Sequence, residues 1–274
     1  MSAETVAAAA QHGQEAAEAA AEGVPEIPNL ITFVTSFFPK DHPLVHFLHS
    51  IETEFFAFLV ILFLAWVVRR AYASYGLMPT RLQNLIEMYV EIMEGLVVGM
   101  LGKKEGRRYL PFVGTLFIYI LTMNLAGLFP FMKSSTSAIQ TTAALAICVF
   151  CYVQYNGLKR LGLVGYIDHL MGSPRDVTGW CLVPLFLPLH ILEELIKPVS
   201  LSCRLFGNIL GEDILLGVAL MLGIAMTGFL PIGIPLHFPF MFLAMLTSTI
   251  QALVFALLAT VYISMVLPHE EEHH

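Results

Sequence analysis

The sequence predicts an all-α polytopic membrane protein, and three observations lead to this fold class. Hydrophobic residues make up 57% of the 274-residue chain and charged residues only 13%, a composition far from that of soluble domains. Uncharged segments extend over residues 109–132, 134–158 and 214–269, and a membrane span needs about 20 mainly apolar residues. A shorter, intensely apolar run occupies residues 55–68.

The apolar segments divide the chain into one membrane domain and a leading tract. Residues 1–28 are rich in Ala and Glu, and they have too few bulky apolar side chains to bury a core, so a flexible tract is expected. Residues 29–274 form a single membrane domain. Its predicted spans are 51–75, 109–132 and 135–158, followed by two long helices at 177–228 and 239–267.

An interfacial amphipathic helix is predicted over residues 80–102, between the first and second spans. Its glutamates and its apolar residues fall on separate helical faces, namely Glu87, Glu91 and Glu94 on one face and Leu85, Tyr89, Ile92 and Leu96 on the other. Thr80 followed by Gln83 matches a capping box at the helix start. The glutamate face is interpreted as solvated and not as a binding surface.

The last two helices are predicted to form an antiparallel hairpin. The run FLPIGIPLHFPF, residues 229–240, contains four helix-breaking Pro and Gly residues. The helix after it, about 27 residues, would be roughly 40 Å long at 1.5 Å per residue. Because that length exceeds a hydrocarbon core of about 30 Å, the helix is expected to tilt. The polar residues Thr247, Ser248, Thr249 and Gln251 are expected to face the preceding helix.

The distribution of Lys and Arg predicts the orientation of the chain. Seven of the 14 basic residues lie within residues 69–108 and three within 159–175, whereas eight acidic residues and only Lys40 precede Phe55. Basic loops stay on the cytoplasmic side. The N-terminus is therefore expected outside and the C-terminus in the cytoplasm.

Arg204 is the residue that most directly indicates function. It lies in LSCRLFGNILGEDILLG, between strongly apolar stretches, and a guanidinium stays charged at any biological pH. A charge at membrane depth costs several kcal/mol, so it is a functional-site hypothesis by default. Lys197 has Glu193 at i−4 and that pair could neutralise itself, but Arg204 has no carboxylate at i±3 or i±4. Its partner must come from elsewhere.

Small and polar residues accompany Arg204 along one predicted helical stripe. Lys197, Leu201, Arg204, Asn208 and Gly211 recur at spacings of three and four. Small residues nearby would let another helix or a passing surface approach the backbone; they are Ser200, Ser202, Gly207 and Gly211. The alternative is that these glycines, like Pro184, Pro188 and Pro198, only reflect the composition of membrane helices.

Two motifs resemble one protein family. KPVSLSCRLFGNILGEDILL (197–216) and STIQALVFALLATVYIS (248–264) are similar to subunit a of the F-type ATP synthase, and YLPFVGTLFIYILTMNLAGLFPF (109–131) resembles its second transmembrane helix. The GED order is close to the plastid and cyanobacterial version. The resemblance implies one transmembrane helix, an interfacial helix, two further spans and two long tilted helices that curve against a ring of subunit c.

The resemblance also implies the roles of individual residues. Arg204 corresponds to the essential arginine that faces the carboxylate of each passing subunit c. Asn208 and Gln251 match polar positions beside it, and Asp213, with Glu212 adjacent, falls at the acidic position of an aqueous half-channel. The implied function is a stator channel subunit that passes protons through two half-channels to and from the rotating c ring. It is not catalytic on its own.

The chain departs from the family pattern at two positions. Ala244 stands where many relatives carry a histidine or an acidic group, seven residues before the glutamine. His190 stands where many bacterial relatives have a glutamate, with Glu193 and Glu194 one helical turn later. His190 is either a proton relay or a packed, hydrogen-bonded histidine.

The remaining predictions concern partners, cofactors and alternative classes of protein. The resemblance implies the c ring, the peripheral-stalk subunit b and the lipid of a bacterial inner membrane as partners, with no nucleic acid. No metal or other cofactor is expected. C-x-x-C at Cys148 and Cys151 is ordinary helix spacing, and HEEEHH (269–274) is expected to be a solvated tail, the alternative being weak metal binding. The alternative function is a stand-alone secondary transporter, which would be expected to show paired broken helices in both halves. An intramembrane enzyme would need a nucleophile and base or a metal motif, and neither occurs.

Overall fold

The computed structural model describes residues 51–73, 80–129, 131–170, 177–226 and 237–267, together with positions 31, 35, 45 and 48. The tract 1–28, the helix-breaking residues 229–236 and the terminal 269–274 lie outside the described residues. Five long helices make up the described part, and a single 3-10 turn, Ser135–Ser137, lies between the second and third of them. The helices are α1 (Glu52–Tyr72), α2 (Arg81–Ala126), α3 (Ile139–Leu170), α4 (Val177–Met226) and α5 (His237–Val266).

The prediction of an all-α polytopic fold is confirmed at the level of helix length and composition. Each of the five helices contains a segment long and apolar enough to cross a membrane. Many large apolar side chains point away from the protein, as lipid-facing residues do, including Phe58, Trp66 and Ile224, which are 59%, 62% and 63% exposed.

The interfacial helix and the second span form one element that is kinked at a glycine. Gly102, with φ 76° and ψ 167°, divides α2, and a side chain in this left-handed region would be strained. The segment after the kink ends at Ala126, earlier than the predicted residue 132. Gly162, with φ 69° and ψ 170°, divides α3 in the same way. The apolar segment before it, Ile139–Gly162, ends four residues after the predicted residue 158.

The start of α2 forms only half of the predicted capping box. The backbone N–H of Gln83 donates to Thr80 Oγ1 at 3.4 Å, which satisfies one orphan donor. The Gln83 side chain does not reach back; its Nε2 donates instead to Glu87 Oε1 at 2.8 Å. Of the four apolar residues predicted to share a face, Tyr89 packs against the core, while Leu85 and Ile92 are 60% and 57% exposed.

The core lies where α2, α3, α4 and α5 meet. Tyr109, Ile120, Leu205 and Phe255 are completely or almost completely buried there. The side of α5 that faces the core carries small residues at helical spacing, Ala252, Ala256 and Ala259. Association of helices in lipid depends on close van der Waals packing, because lipid is as apolar as the side chains. These alanines therefore allow α5 to lie close to its neighbours.

Antiparallel pairing positions α4 between α3 and α5. Between α4 and α5 the hydrogen bonds join Asn208 to Gln251 and Glu212 to Ser248, so the residue numbers run in opposite directions. Between α3 and α4 the bonds join Thr142 to Ser202 and Gln154 to Glu194. Pro184, Pro188 and Pro198 all lie inside the continuous helix α4 and do not end it.

Candidate functional site

Arg204 lies on an open face of α4. Its side chain is exposed, and it makes no ion pair or hydrogen bond with any residue in the described part of the chain. The adjacent face of α4 is packed, with Leu201, Leu205 and Ile209 at most 2% exposed. The guanidinium thus lies at the edge of the helix bundle, beside a buried stripe of α4.

Two glycines keep the surroundings of Arg204 open. A Cβ placed on Gly207 or on Gly211 would have no other atom within 4 Å. Ser200 and Cys203, on the same side of α4, are also exposed. A second surface can therefore approach the backbone of α4 closely beside the cation.

One polar cluster lies on the C-terminal side of Arg204, and we call it the amide–acid cluster; it consists of Asn208, Glu212, Ser248 and Gln251. Asn208 Nδ2 donates to Gln251 Oε1 at 2.7 Å, and Ser248 Oγ donates to Glu212 Oε2 at 2.8 Å. Gln251 is 2% exposed and Ser248 is fully buried. Within the described residues, Gln251 Nε2 and Glu212 Oε1 are buried without a hydrogen-bond partner. Both atoms retain unused capacity to bind water or a proton carrier.

A buried hydrogen-bonded chain continues from this cluster into α2 and the 3-10 turn. Asn124 Nδ2 lies 3.4 Å from the Ser248 carbonyl oxygen, and Thr136 Oγ1 donates to Asn124 Oδ1 at 2.7 Å. Ser134 Oγ is 2.7 Å from Thr136 Oγ1. Sequence reasoning did not identify Asn124, although a side-chain amide inside the uncharged segment 109–132 was a visible signal.

A second polar cluster lies on the N-terminal side of Arg204, and we call it the acid–lysine cluster; it consists of Glu193, Glu194, Lys197 and Gln154. Lys197 Nζ lies 2.6 Å from Glu194 Oε1 and 3.3 Å from Glu193 Oε1. The predicted Glu193–Lys197 pair is confirmed, and Glu194 is the closer partner. Gln154 Nε2 of α3 donates to Glu194 Oε2 at 2.8 Å. Gln154 is another residue that sequence reasoning missed.

The remaining predicted site residues lie at the margins of these clusters. Asp213 is half-buried next to Glu212. His190 Nδ1 lies 3.0 Å from the Phe186 carbonyl oxygen of its own helix, an ordinary bond to the previous turn. Thr247 and Thr249 donate to backbone carbonyls of α5 itself. Of the four polar residues predicted to face α4, Ser248 and Gln251 donate to or accept from it at normal distances, and Thr247 also interacts with Glu212.

The predicted stripe on α4 lies along the boundary between the packed and the open face. Leu201 is 1% exposed, whereas Arg204, Asn208 and Gly211 are exposed, and Lys197 turns toward its two glutamates. The stripe is therefore not a single uniform surface. It is this boundary position that lets Asn208 reach Gln251 while Arg204 stays open.

Arg204 separates the two polar clusters along α4. Glu194 precedes it by ten residues and Glu212 follows it by eight, which corresponds to about 15 Å and about 12 Å at 1.5 Å per residue. Among the residues the structure describes, no three His, Cys, Asp or Glu side chains are placed to hold a metal ion.

The fold defines a class: all-α proteins with several helices long and apolar enough to cross a membrane, here with charged and polar side chains among them. Residues 52–264 match the family model described as ATP synthase A chain. The chain belongs to this family. Membership places it in the membrane sector of the ATP synthase and supports a proton-translocating role.

Individual relatives agree with this assignment. The chain is 45% identical over 251 residues to the ATP synthase subunit a of Protochlamydia amoebophila, covering 91% of this chain and 92% of that protein. It is 42% identical to the Moorella thermoacetica subunit a, covering 75% and 85% respectively. The Solidesulfovibrio magneticus subunit a is 40% identical, with coverage of 78% and 82%.

Proposed function

We propose that this chain is the stator channel subunit of the ATP synthase membrane sector. In this role it forms two aqueous half-channels that carry protons to and from the carboxylates of a rotating c ring. The observation that carries the proposal is the position of Arg204: an exposed guanidinium with no ion pair in the described chain, between two separate polar clusters of α4.

The open face around Arg204 suits a moving partner. Gly207 and Gly211 leave space above the backbone, so a helix of the c ring can pass close to the guanidinium. A carboxylate that moves through lipid must be protonated, because an isolated ion there is very costly. Opposite the fixed cation of Arg204 the ionised form is favoured, and the proton leaves.

The two clusters supply separate paths for the proton. The amide–acid cluster, with Asp213 beside Glu212, lines one half-channel; Glu193, Glu194 and His190 belong to the other. Arg204 lies between the paths and cannot itself lose a proton, so it blocks direct leakage from one to the other. Each charge that crosses the whole field is worth about 2.3 kcal/mol per 100 mV, and the offset paths convert this energy into rotation.

The proposal includes a location, an arrangement and partners. The chain resides in a bacterial inner membrane with its N-terminus outside and its C-terminus in the cytoplasm, as the basic residues of 69–108 and 159–175 indicate. α4 and α5 form the tilted hairpin that curves against the c ring. The peripheral-stalk subunit b and lipid contact other surfaces, and the chain performs no catalytic step of its own.

Replacing Arg204 with alanine tests the proposal. We expect Arg204→Ala in the assembled complex to abolish ATP-driven proton pumping into inverted vesicles while ATP hydrolysis by the soluble sector persists. Arg107→Ala is the matched control, since Arg107 has a 74% exposed side chain that pairs with Glu94 on the surface of α2. Normal pumping by Arg204→Ala would overturn the proposal.

A further inference from the structure

Two residues of the α3 element contact the acid–lysine cluster from outside the α4–α5 hairpin. Gln154 Nε2 donates to Glu194 Oε2 at 2.8 Å, and the Tyr166 hydroxyl donates to Gln154 Oε1. Gln154 lies inside an apolar span, where an unused amide would cost free energy. Both ends of its side-chain amide are engaged here, one by a donor and one by an acceptor.

These contacts fix the Glu194 carboxylate from two helices. Lys197 Nζ binds one carboxylate oxygen at 2.6 Å, and the Gln154 amide binds the other. Glu193 differs, because its side chain is 52% exposed and contacts only Lys197 in the described part of the chain. Of the two adjacent glutamates, Glu194 is the one that the fold holds in a single orientation.

A small cavity adjoins the fixed carboxylate. It has a volume of about 10 Å³, and its lining includes Glu194, Lys197, Tyr262, Val149 and Leu201. A site of that size holds about one water molecule, and a bound water needs two to four polar partners. Glu194 and Lys197 are the charged residues of a lining that is otherwise mostly apolar.

The titratable groups around Glu194 come from three elements. Lys197 and Glu193 lie on its own helix, Tyr166 lies beyond the Gly162 kink of α3, and Tyr262 of α5 has its ring centroid 5.9 Å from Lys197 Nζ. Burial raises the pKa of the Tyr166 phenol, and the nearby Glu194 carboxylate raises it further. The phenol therefore stays protonated and acts as the donor to Gln154.

We propose that Gln154 and Tyr166 are positioning residues that hold Glu194 in one orientation beside the cavity between α3, α4 and α5, so that α3 forms one wall of the half-channel on the N-terminal side of Arg204. This inference rests on the proposed function, since it names further residues of the same site. Gln154 and Tyr166 act through Glu194 and do not themselves carry the proton.

The test compares pH profiles measured separately on the two membrane faces. Reconstituted complexes carry Gln154→Met, which removes both amide groups, or Tyr166→Phe, which removes only the hydroxyl. Gln140→Met is the matched control, because Gln140 is an exposed glutamine of the same helix. Proton pumping is measured while the pH is varied on one face at a time.

Gln154→Met is expected to shift the profile on the cytoplasmic face by about one pH unit or more, because a hydrogen bond to a charged group changes an equilibrium roughly tenfold or more. The profile on the other face stays unchanged, and Tyr166→Phe gives a smaller shift on the same face. A uniform loss of rate with both profiles unchanged would mean a structural role and would overturn the inference. Equal shifts on both faces, or the same shift in Gln140→Met, would also overturn it.

The outcomes separate this inference from the proposed function. If Arg204→Ala pumps normally, the proposed function itself is wrong. If Arg204→Ala is inactive and both α3 variants keep the wild-type profiles, only the role of Gln154 and Tyr166 is wrong. Should Gln154→Met not assemble, Tyr166→Phe decides alone, because it leaves the aromatic ring in place.

Discussion

Removing the Lys197 ammonium is expected to destabilise the complex, because the partly buried Glu194 carboxylate would lose its positive partner. Lys197 and Glu194 are 2.6 Å apart, with side chains 15% and 21% exposed. At an effective dielectric constant of about 20, two unit charges 4 Å apart attract by about 4 kcal/mol, and desolvation offsets part of this. Truncating one partner of such a pair costs about 2–5 kcal/mol. The contact to the half-exposed Glu193 adds at most about 1 kcal/mol.

A double-mutant cycle of the wild type, Lys197→Met, Glu194→Gln and the double variant measures this coupling. Lys197→Met leaves Glu194 as an uncompensated anion, whereas Lys197→Met combined with Glu194→Gln leaves a neutral amide that still accepts from Gln154. We expect the double variant to recover most of the lost stability, with a coupling energy of about 2 kcal/mol. The assay is the fraction of assembled complex that survives heating in detergent, with exposed Lys103→Met as the control. Equal losses in the single and double variants would refute the reasoning that Lys197 serves to neutralise Glu194.

Three further predictions concern packing and capping. Gly106→Ala should destabilise the complex by about 1–3 kcal/mol, because its Cβ would lie 2.7 Å from the Val98 Cα. The control Gly95→Ala should not destabilise it, because nothing lies within 4 Å of the added Cβ. Equal stability losses for the two variants in the heating assay would contradict this prediction. Gly207→Leu should leave insertion and abundance of the chain unchanged but reduce ATP-driven pumping, because the new side chain fills the open face beside Arg204; full pumping would argue against a partner there. Thr80→Ala should cost about 1 kcal/mol, and Thr80→Ser should restore it; an equal loss in both would show that the cap hydroxyl is unimportant.

The helices could be predicted from the sequence because their formation depends on local hydrophobicity. A bilayer requires long apolar segments, so the five helices follow from hydropathy alone. The kink at Gly102 falls at the predicted end of the interfacial helix, residue 102. The kink at Gly162 was harder to predict, because a glycine in a helical pattern leaves several conformations open. The predicted third span ends at residue 158, whereas the helix continues to Gly162, and within this extension Arg160 pairs with Glu105 of α2.

The candidate site also contains residues that the sequence predicted and residues that only the structure revealed. Arg204 could be identified from the sequence because a charge in an apolar helix is conspicuous and no carboxylate lies one turn away. The Glu193–Lys197 pair could also be predicted, since i, i+4 neighbours on a helix must meet. Gln154, Tyr166 and Asn124 could not be connected to the site. Gln154 and Asn124 reach it from other helices, with contacts 40 and 124 residues apart in sequence, and Tyr166 reaches it only through Gln154.

The sequence by itself determined the membrane fold class, the family and the isolated cation, because each depends on local composition or on one contiguous motif. Only the tertiary structure decided which polar residues surround that cation. In the structure Lys197 forms an ion pair with Glu194, Asn208 hydrogen-bonds to Gln251, and Ser248 hydrogen-bonds to Glu212. Arg204 lies on the open face. The physical reason is that a buried polar group must find a partner wherever the packing of the helices brings one within about 3 Å, and that packing is a property of the whole bundle.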